Sequence, residues 1–542
     1  MFKKLLLIFS IIIYAKNFYA QTTFNLDTKI MNFISGAGSV HVYKDTILCV
    51  GFGTDSVSYY YYEAFLAKFD LSGNRISRVE EFNGDYHYYY VHDSFLNGDT
   101  LITLVDAVLR DSIIQNSFKG GILFYYDVPH NKVVRKIKIE TPNGTGIMGG
   151  LTKINDSVYI ALSSYCETKT CNYVDGMLTI INTNTEKKKF IQLGKKNRDD
   201  YVSSMTWNGE KIIVGSSYRY PIPSITNPYI KSYFYTVIYE VDTSGIVKTV
   251  FEGDSLLGNI KDIVSVEDGN FIFTTTTRKY HYDQWVLGYK SHIKWNLVKM
   301  DKNYKIIWQK EIGPPHYYLA KLPADCEILP SEDGDHYLIA FNALNYPWDM
   351  DQYGLDSMIN AGVVPQEVGI LQKISKYGAT QWMRTYSKIN DPNRNTVEHI
   401  FKDICPSPDG GYVMYGDLDY DGIVGVDSFA NYHAWLVKVD EYGCLVPGCQ
   451  EGDTVSVSHI PPDKCLILYP NPASDVLYIY DDEGGKASYA ITDIAGNVLE
   501  KWHGSLINHT FILQINSYPT GTYIVTRKDE KGKVRKGKFV RL

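Results

Sequence analysis

The feature that most constrains this chain is a repeated strand-and-turn phrase. Ala434–Gly443 reads AWLVKVDEYG, with apolar and polar residues alternating into a charged turn that ends in Gly. The phrase recurs as FLAKFDLSG (Phe65–Gly73), NLVKMDKNY (Asn296–Tyr304) and GILQKISKYG (Gly369–Gly378). Looser copies are GILFYYDVPHN (Gly121–Asn131), GMLTIINTNT (Gly176–Thr185) and YTVIYEVDTSG (Tyr235–Gly245). The copies stand roughly 60 residues apart, a spacing that suits one four-stranded unit with loops. Alternation with period two is the mark of a strand with one buried face.

Each copy sits in a constant order. An apolar strand runs into a turn, as in DIVSVEDGN (Asp262–Asn270) or DICPSPDGG (Asp403–Gly411). A second strand follows, such as FIFTTTT (Phe271–Thr277), then a variable loop, the repeated strand, a turn and a last strand such as IIWQKEI (Ile306–Ile312). Asp-Gly and Gly-Gly turns favour tight hairpins, because both residues tolerate positive φ. A lone four-stranded unit has bare edges and uncovered apolar faces, so its neighbours must cover it. The expected fold is all-β: a seven-bladed β-propeller over residues 21–450, with a small C-terminal β-sandwich behind it. The last unit lacks a good fourth strand, since Cys444–Cys449 is short and contains Pro447. TTFNLDTKIMNF (Thr22–Phe33) is the candidate to complete it and close the ring. Long helices are not expected.

The first residues, MFKKLLLIFSIIIYAKNFYAQ, place Lys3 and Lys4 before an apolar run, which predicts a signal peptide over 1–20. No Cys near that point suggests a lipid anchor, and no later apolar run reaches the length of a membrane span. Net charge is −7, so there is no basic field for nucleic acid. Eight cysteines in an exported chain permit disulfides. CETKTC (Cys166–Cys171) and CLVPGC (Cys444–Cys449) each allow a small bridged loop, with connectivity left open. Neither has the spacing or His partners of a zinc site.

EGDTVSVSHIPPDK, within a linker expected over 451–464, separates a different pattern at 465–542. That segment carries YPNPASD (Tyr469–Asp475), a D-x-x-G turn (Asp493–Gly496), P-x-G-x-Y-x-V (Pro519–Val525) and a final basic strand GKFVRL (Gly537–Leu542). These phrases resemble, in family order, the type A C-terminal sorting domain of the type IX secretion system of Bacteroidetes. Tyr518 stands where that family usually has Leu. The resemblance implies that Pro470, Asn471, Pro472, Gly496, Gly521 and Tyr523 belong to the sorting signal. It implies a translocon and its sorting peptidase as partners, and a protein secreted or held at the outer cell surface. It does not bear on what the preceding region does, which resembles only generic secreted propeller repeats.

Aromatic loops between second and third strands should crowd one rim of the disc, and exposed aromatics on a rigid scaffold are candidates for binding. They nominate Tyr220, Tyr229, Tyr282, Trp285, Trp348 and Tyr353. Asp417, Asp419 and Asp421, read D-L-D-Y-D-G, alternate as calcium-ligating carboxylates do, against the plainer reading of a solvated acidic hairpin. The twelfth position of an EF-hand loop is Ser428, not Glu, so that match is incomplete. Asp followed by Ser or Thr and an aliphatic residue, as at Asp45–Ile47 and Asp156–Val158, resembles the O-glycan acceptor pattern of Bacteroidetes and is equally ordinary turn chemistry. Among 61 acids no spacing selects a catalytic pair, and there is no G-x-S-x-G, H-E-x-x-H or phosphate loop. Two functions stay open. One is a binding or adhesion scaffold for glycan or protein, using the rim. The other is a hydrolase or lyase acting on polysaccharide or peptide, with its site at the central channel. The missing motifs favour the first; carboxylates or His at the channel mouth would favour the second.

Overall fold

The computed structural model describes residues 22–31, 34–54, 63–79, 86–109, 120–140, 147–166, 174–195, 198–221, 232–253, 257–283, 288–313, 325–344, 366–388, 397–420, 432–446, 449, 466–469, 473, 475–480, 486–494, 496–505 and 510–541. The expected ring is present as seven four-stranded antiparallel sheets. Six are built from consecutive strands, beginning with Ile34–Tyr43, Thr46–Thr54, Glu63–Asp70 and Arg75–Val79 as blade 1. Blade 7 takes three strands from its own unit, Val397–Pro406, Tyr412–Tyr420 and Tyr432–Val439. Its fourth is Phe24–Thr28 from the other end of the chain. Leu26 lies opposite Leu436 and Thr28 opposite Ala434, so the first described residues close the circle as the sequence predicts.

Closure is also visible in the core. Seven apolar clusters each join two neighbouring blades. One places Leu48, Val50 and Leu66 of blade 1 against Leu101 and Phe124 of blade 2. Another places Phe65 and Ile47 of blade 1 against Tyr415, Ala434 and Leu436 of blade 7. An open superhelix would leave that last cluster uncovered.

The repeated phrase serves two positions at once. Its Asp caps the turn after the third strand: Asp70 Oδ1 accepts from Ser72 N at 2.9 Å and Asn74 N at 2.8 Å. Asp301 does the same for Asn303 N and Lys305 N. The turn needs one left-handed residue, filled by Gly73 (φ 86°) and, less commonly for a residue with a side chain, by Tyr304 (φ 64°). The Lys two residues earlier reaches the corresponding turn of the next blade. Lys68 Nζ donates to Val128 O at 2.7 Å, Lys299 to Lys376 O at 3.3 Å, and Lys438 to Leu71 O at 3.2 Å. The phrase is therefore an inter-blade clamp beside a turn cap.

Beyond the propeller, Ile467–Tyr469, Val476–Tyr480 and Thr510–Gln514 form a three-stranded sheet. Val498–Ser505, Lys486–Asp493, Gly521–Asp529 and Val534–Arg541 form a four-stranded one. They share a core of Leu477, Ile479, Ile491, Tyr523, Val525 and Phe539. Among the described residues no helix is long and apolar enough to cross a membrane.

Cys444 and Cys449 are bridged. Cys166 ends the second strand of blade 3, and Cys171 lies outside the described residues. Cys49, Cys326 and Cys405 are buried thiols, which burial holds well above the usual range.

Candidate functional site in the axial channel

The innermost strands of six blades carry a β-bulge at the same step of the ladder. The extra residue is Gly38, His92, Gly149, Ser203, Lys261 and Lys402 in blades 1, 2, 3, 4, 5 and 7. Blade 6 runs straight there, through Cys326–Pro330. A bulge aims two consecutive side chains differently from a regular pleat. Each bulge residue is followed by one that makes an inner tier around the axis: Asp93, Asp262 and Asp403 among them, with Glu327 facing them from blade 6.

The three aspartates bind blades together. Asp93 accepts from Ser94 N at 2.7 Å and from Leu151 N of blade 3 at 3.1 Å. Asp262 accepts from Ile263 N at 2.7 Å, Ser204 Oγ of blade 4 at 2.7 Å and Ile328 N of blade 6 at 2.9 Å. Asp403 accepts from Ile404 N and from Val40 N of blade 1, both at 2.7 Å. Burial is the main cause that pushes their carboxyls up, Asp93 to about 7 and Asp403 to about 8, and the charges on the facing acids add to it. Asp262 is raised by burial, and Glu327 by burial and by the charges on the facing acids. Glu327 of blade 6 feels Asp93, Asp262 and Asp403 of blades 2, 5 and 7, as side chains lining one channel do.

An outer tier lies towards the loop end. Lys402 Nζ contacts Asp325, which directly precedes the innermost strand of blade 6, and stands 3.7 Å from Asp417 Oδ2. His92 Nε2 is 2.9 Å from Asp106 Oδ2. Lys261, beside Asp325 and Lys402, is lowered to about 8, chiefly by burial.

Asp417, expected as a calcium ligand, is 1% exposed. Its oxygens accept from Ala37 N at 2.6 Å and Tyr432 Oη at 2.5 Å. Those donors and Lys402 supply what a cation would. Asp419 pairs in register with Tyr432, and Asp421 lies outside the described residues. Among the described residues no three His, Cys, Asp or Glu are grouped to hold a metal.

Of the aromatic candidates, the backbone of Tyr220 pairs in register with Tyr233 and that of Tyr282 with Tyr289, at the loop ends of blades 4 and 5. Tyr229, Trp285, Trp348 and Tyr353 lie outside the described residues. Of the sorting residues, Gly496 (φ 86°) makes the left-handed turn that Asp493 caps through Asn497 N at 2.8 Å. Gly521 opens a strand, and Tyr523 Oη donates to Pro519 O at 2.7 Å. Pro470, Asn471 and Pro472 are outside the described set. The departure at Tyr518 has a local use, since its hydroxyl donates to Glu500 at 2.7 Å.

The axial tiers were not nominated from sequence. Their trace was the phrase Lys-Asp-Ile at Lys261–Ile263 and again at Lys402–Ile404, at the head of the innermost strand. The bulge that turns both polar residues to use has no signature in period-two alternation.

Residues 467–540 match the secretion system C-terminal sorting domain family. No curated protein matches the chain. Among solved structures, Drosophila Semaphorin 2a is 9% identical, covers 95% of this chain and 96% of its own, and has a TM-score of 0.43. The β-propeller domain of the Trilobed protease from Pyrococcus furiosus is 10% identical over 75% of this chain and 95% of its own, with a TM-score of 0.36. The polysaccharide lyase Uly1 is 11% identical over 75% and 90%, with a TM-score of 0.41.

Proposed function

Since the chain is an exported propeller whose C-terminal sorting domain marks it for the cell surface or the medium, we propose that it is a binding module. It takes a glycan or protein ligand at the loop rim and the mouth of the axial channel. In this reading residues 1–20 are a signal peptide, 451–464 a linker, and the sorting domain is handled by the type IX translocon and its peptidase. One observation carries the choice of binding over catalysis. Three of the four inner carboxylates are each held by the N–H that follows and by one from the next blade. Groups fixed in that way serve the ring and are poorly placed to move protons or attack a sugar.

A hydrolase or lyase is the second reading. Lys261 favours it, because a lysine lowered to about 8 is a usable base, and so do His92 and the carboxylates of the outer tier. A glycan array run beside a hydrolysis screen on the purified protein separates the two. Retained ligand without turnover supports binding. Turnover that is lost in Lys261→Met, with no retained ligand, overturns it.

A further inference from the structure

The outer tier repeats with one change. In blade 7 the bulge lysine, Lys402, meets Asp417 on the second strand. In blade 2 the bulge histidine, His92, meets Asp106 at the equivalent place. The registers match: Asp417 follows Gly416, which faces Phe401, and Asp106 follows Val105, which faces Val91. In blade 5 Ile260 faces Thr275, so the equivalent residue is Thr276. Lys261 thus has a hydroxyl where the other two have a carboxylate. It makes no hydrogen bond or ion pair among the described residues, and the neighbouring Asp325 is already engaged by Lys402. Thr276 and Asn259 pair in register across the same two strands, and their buried Oγ1 and Oδ1 also lack partners among the described residues. A half-buried ammonium without an acceptor is costly, and a buried orphan hydroxyl adds to the cost.

We propose that these groups form a site for the carboxylate of an acidic saccharide, with Lys261 as its counter-charge and Thr276 and Asn259 as further polar contacts. This rests on the binding-module reading and names its ligand class. A saccharide fits better than a peptide. The unpartnered groups are a hydroxyl and an amide, and the corresponding bulge positions on blades 3 and 4 are Gly149 and Ser203, which offer no apolar wall. A Cβ on Gly149 would meet only Leu162 O, at 3.8 Å, so that side is open.

The test is titration of oligogalacturonate into the full-length purified protein. Neutral cello-oligosaccharide and poly-L-glutamate serve as the other probes. Two variants report on the lysine. Lys261→Met removes the charge. Thr276→Asp installs the internal partner that blades 2 and 7 already have, and it should keep the fold even where the first variant does not. Both should weaken oligogalacturonate binding by about tenfold or more, while Lys261→Arg retains it. Thr276→Asp should also raise the Lys261 pKa, read by NMR of the lysine side chains.

Equal binding by wild type and Thr276→Asp overturns the site. Lys261-dependent binding of poly-L-glutamate, without oligogalacturonate, overturns the saccharide assignment. Neutral-glycan or protein binding that ignores Lys261 overturns this inference while the binding-module reading survives. Binding to none of the probes, nor to any array ligand, overturns both.

Discussion

Lys438 shows what a buried lysine requires in this fold. Its side chain is fully buried, yet Nζ donates to Asp409 at 2.5 Å, Thr22 O at 2.8 Å, Thr22 Oγ1 at 3.0 Å and Leu71 O at 3.2 Å. It ties blade 7 to blade 1 and to the first described residue. Lys438→Met keeps the stem and removes every donor, leaving Asp409 and two carbonyls short of a partner. We expect a loss of about 1.5–3 kcal/mol in urea unfolding, the range for hydrogen bonds to a charged group. Lys310, on the outermost strand of blade 5, donates to Gly378 O at 2.8 Å and is partly exposed. Lys310→Met should cost clearly less, and equal losses would show that Lys438 is not a clamp. The repeated Lys was visible in the sequence, as was the capping Asp. That the Lys reaches across to the next blade was not, because the spacing of a repeat carries no information about which neighbour a long side chain meets.

At the scale of one element, the strand Phe24–Thr28 determines whether the ring is closed. It is a five-residue edge strand, and its hold on blade 7 depends on side chains as well as the ladder. Trp435 Nε1 donates to Asn25 Oδ1 at 2.7 Å, and the indole stacks on Phe401 with centroids 4.5 Å apart. His399 sits edge-on to the same ring. It is neutral: burial lowers it to about 4, and its Nε2 accepts from Lys388 N at 2.9 Å while Nδ1 donates to Glu367 O at 2.9 Å. Trp435→Ala should cost about 3–5 kcal/mol through lost burial and the cavity left behind. It should also free the first strand, which hydrogen exchange at Asn25–Asp27 would report as early loss of protection. Protection unchanged there would mean that the ladder to Lys438 and Leu436 suffices. This pairing was legible because blade 7 visibly lacked a strand and the first residues had no other place. The bulges were not legible, since an extra residue in one strand leaves hydrophobic alternation almost intact.

For the whole molecule, the inner carboxylates set a pH dependence. Asp93 and Asp403 hold their protons to about 7 and about 8 in the folded state, whereas the unfolded chain releases them near the ordinary value of about 4. The folded state then binds more protons between these limits, so stability rises as pH falls from 8 and is lost as pH rises through 7–8. His41 and His399 oppose this at the acid end. Both are lowered to about 4, so they withdraw stability as pH falls below their ordinary 6.5. The unfolding midpoint should therefore be higher at pH 6 than at pH 8.5. Asp403→Asn should flatten that slope while keeping an acceptor for Val40 N. A midpoint that climbs steadily to pH 8.5 would refute the raised inner carboxyls. Size, repeat and closure were all readable at this scale. The channel chemistry was not, because its residues come from four blades and become neighbours only once the circle is complete.

The placement of the first strand has a practical consequence. Phe24–Thr28 runs along the outer circumference of its sheet, as far from the central opening as a strand of this disc can be. A fluorophore or affinity tag fused just ahead of Thr22 should hang from the periphery and leave the mouth unobstructed. The same tag spliced into a hairpin at the opposite end of the sheets would stand over it.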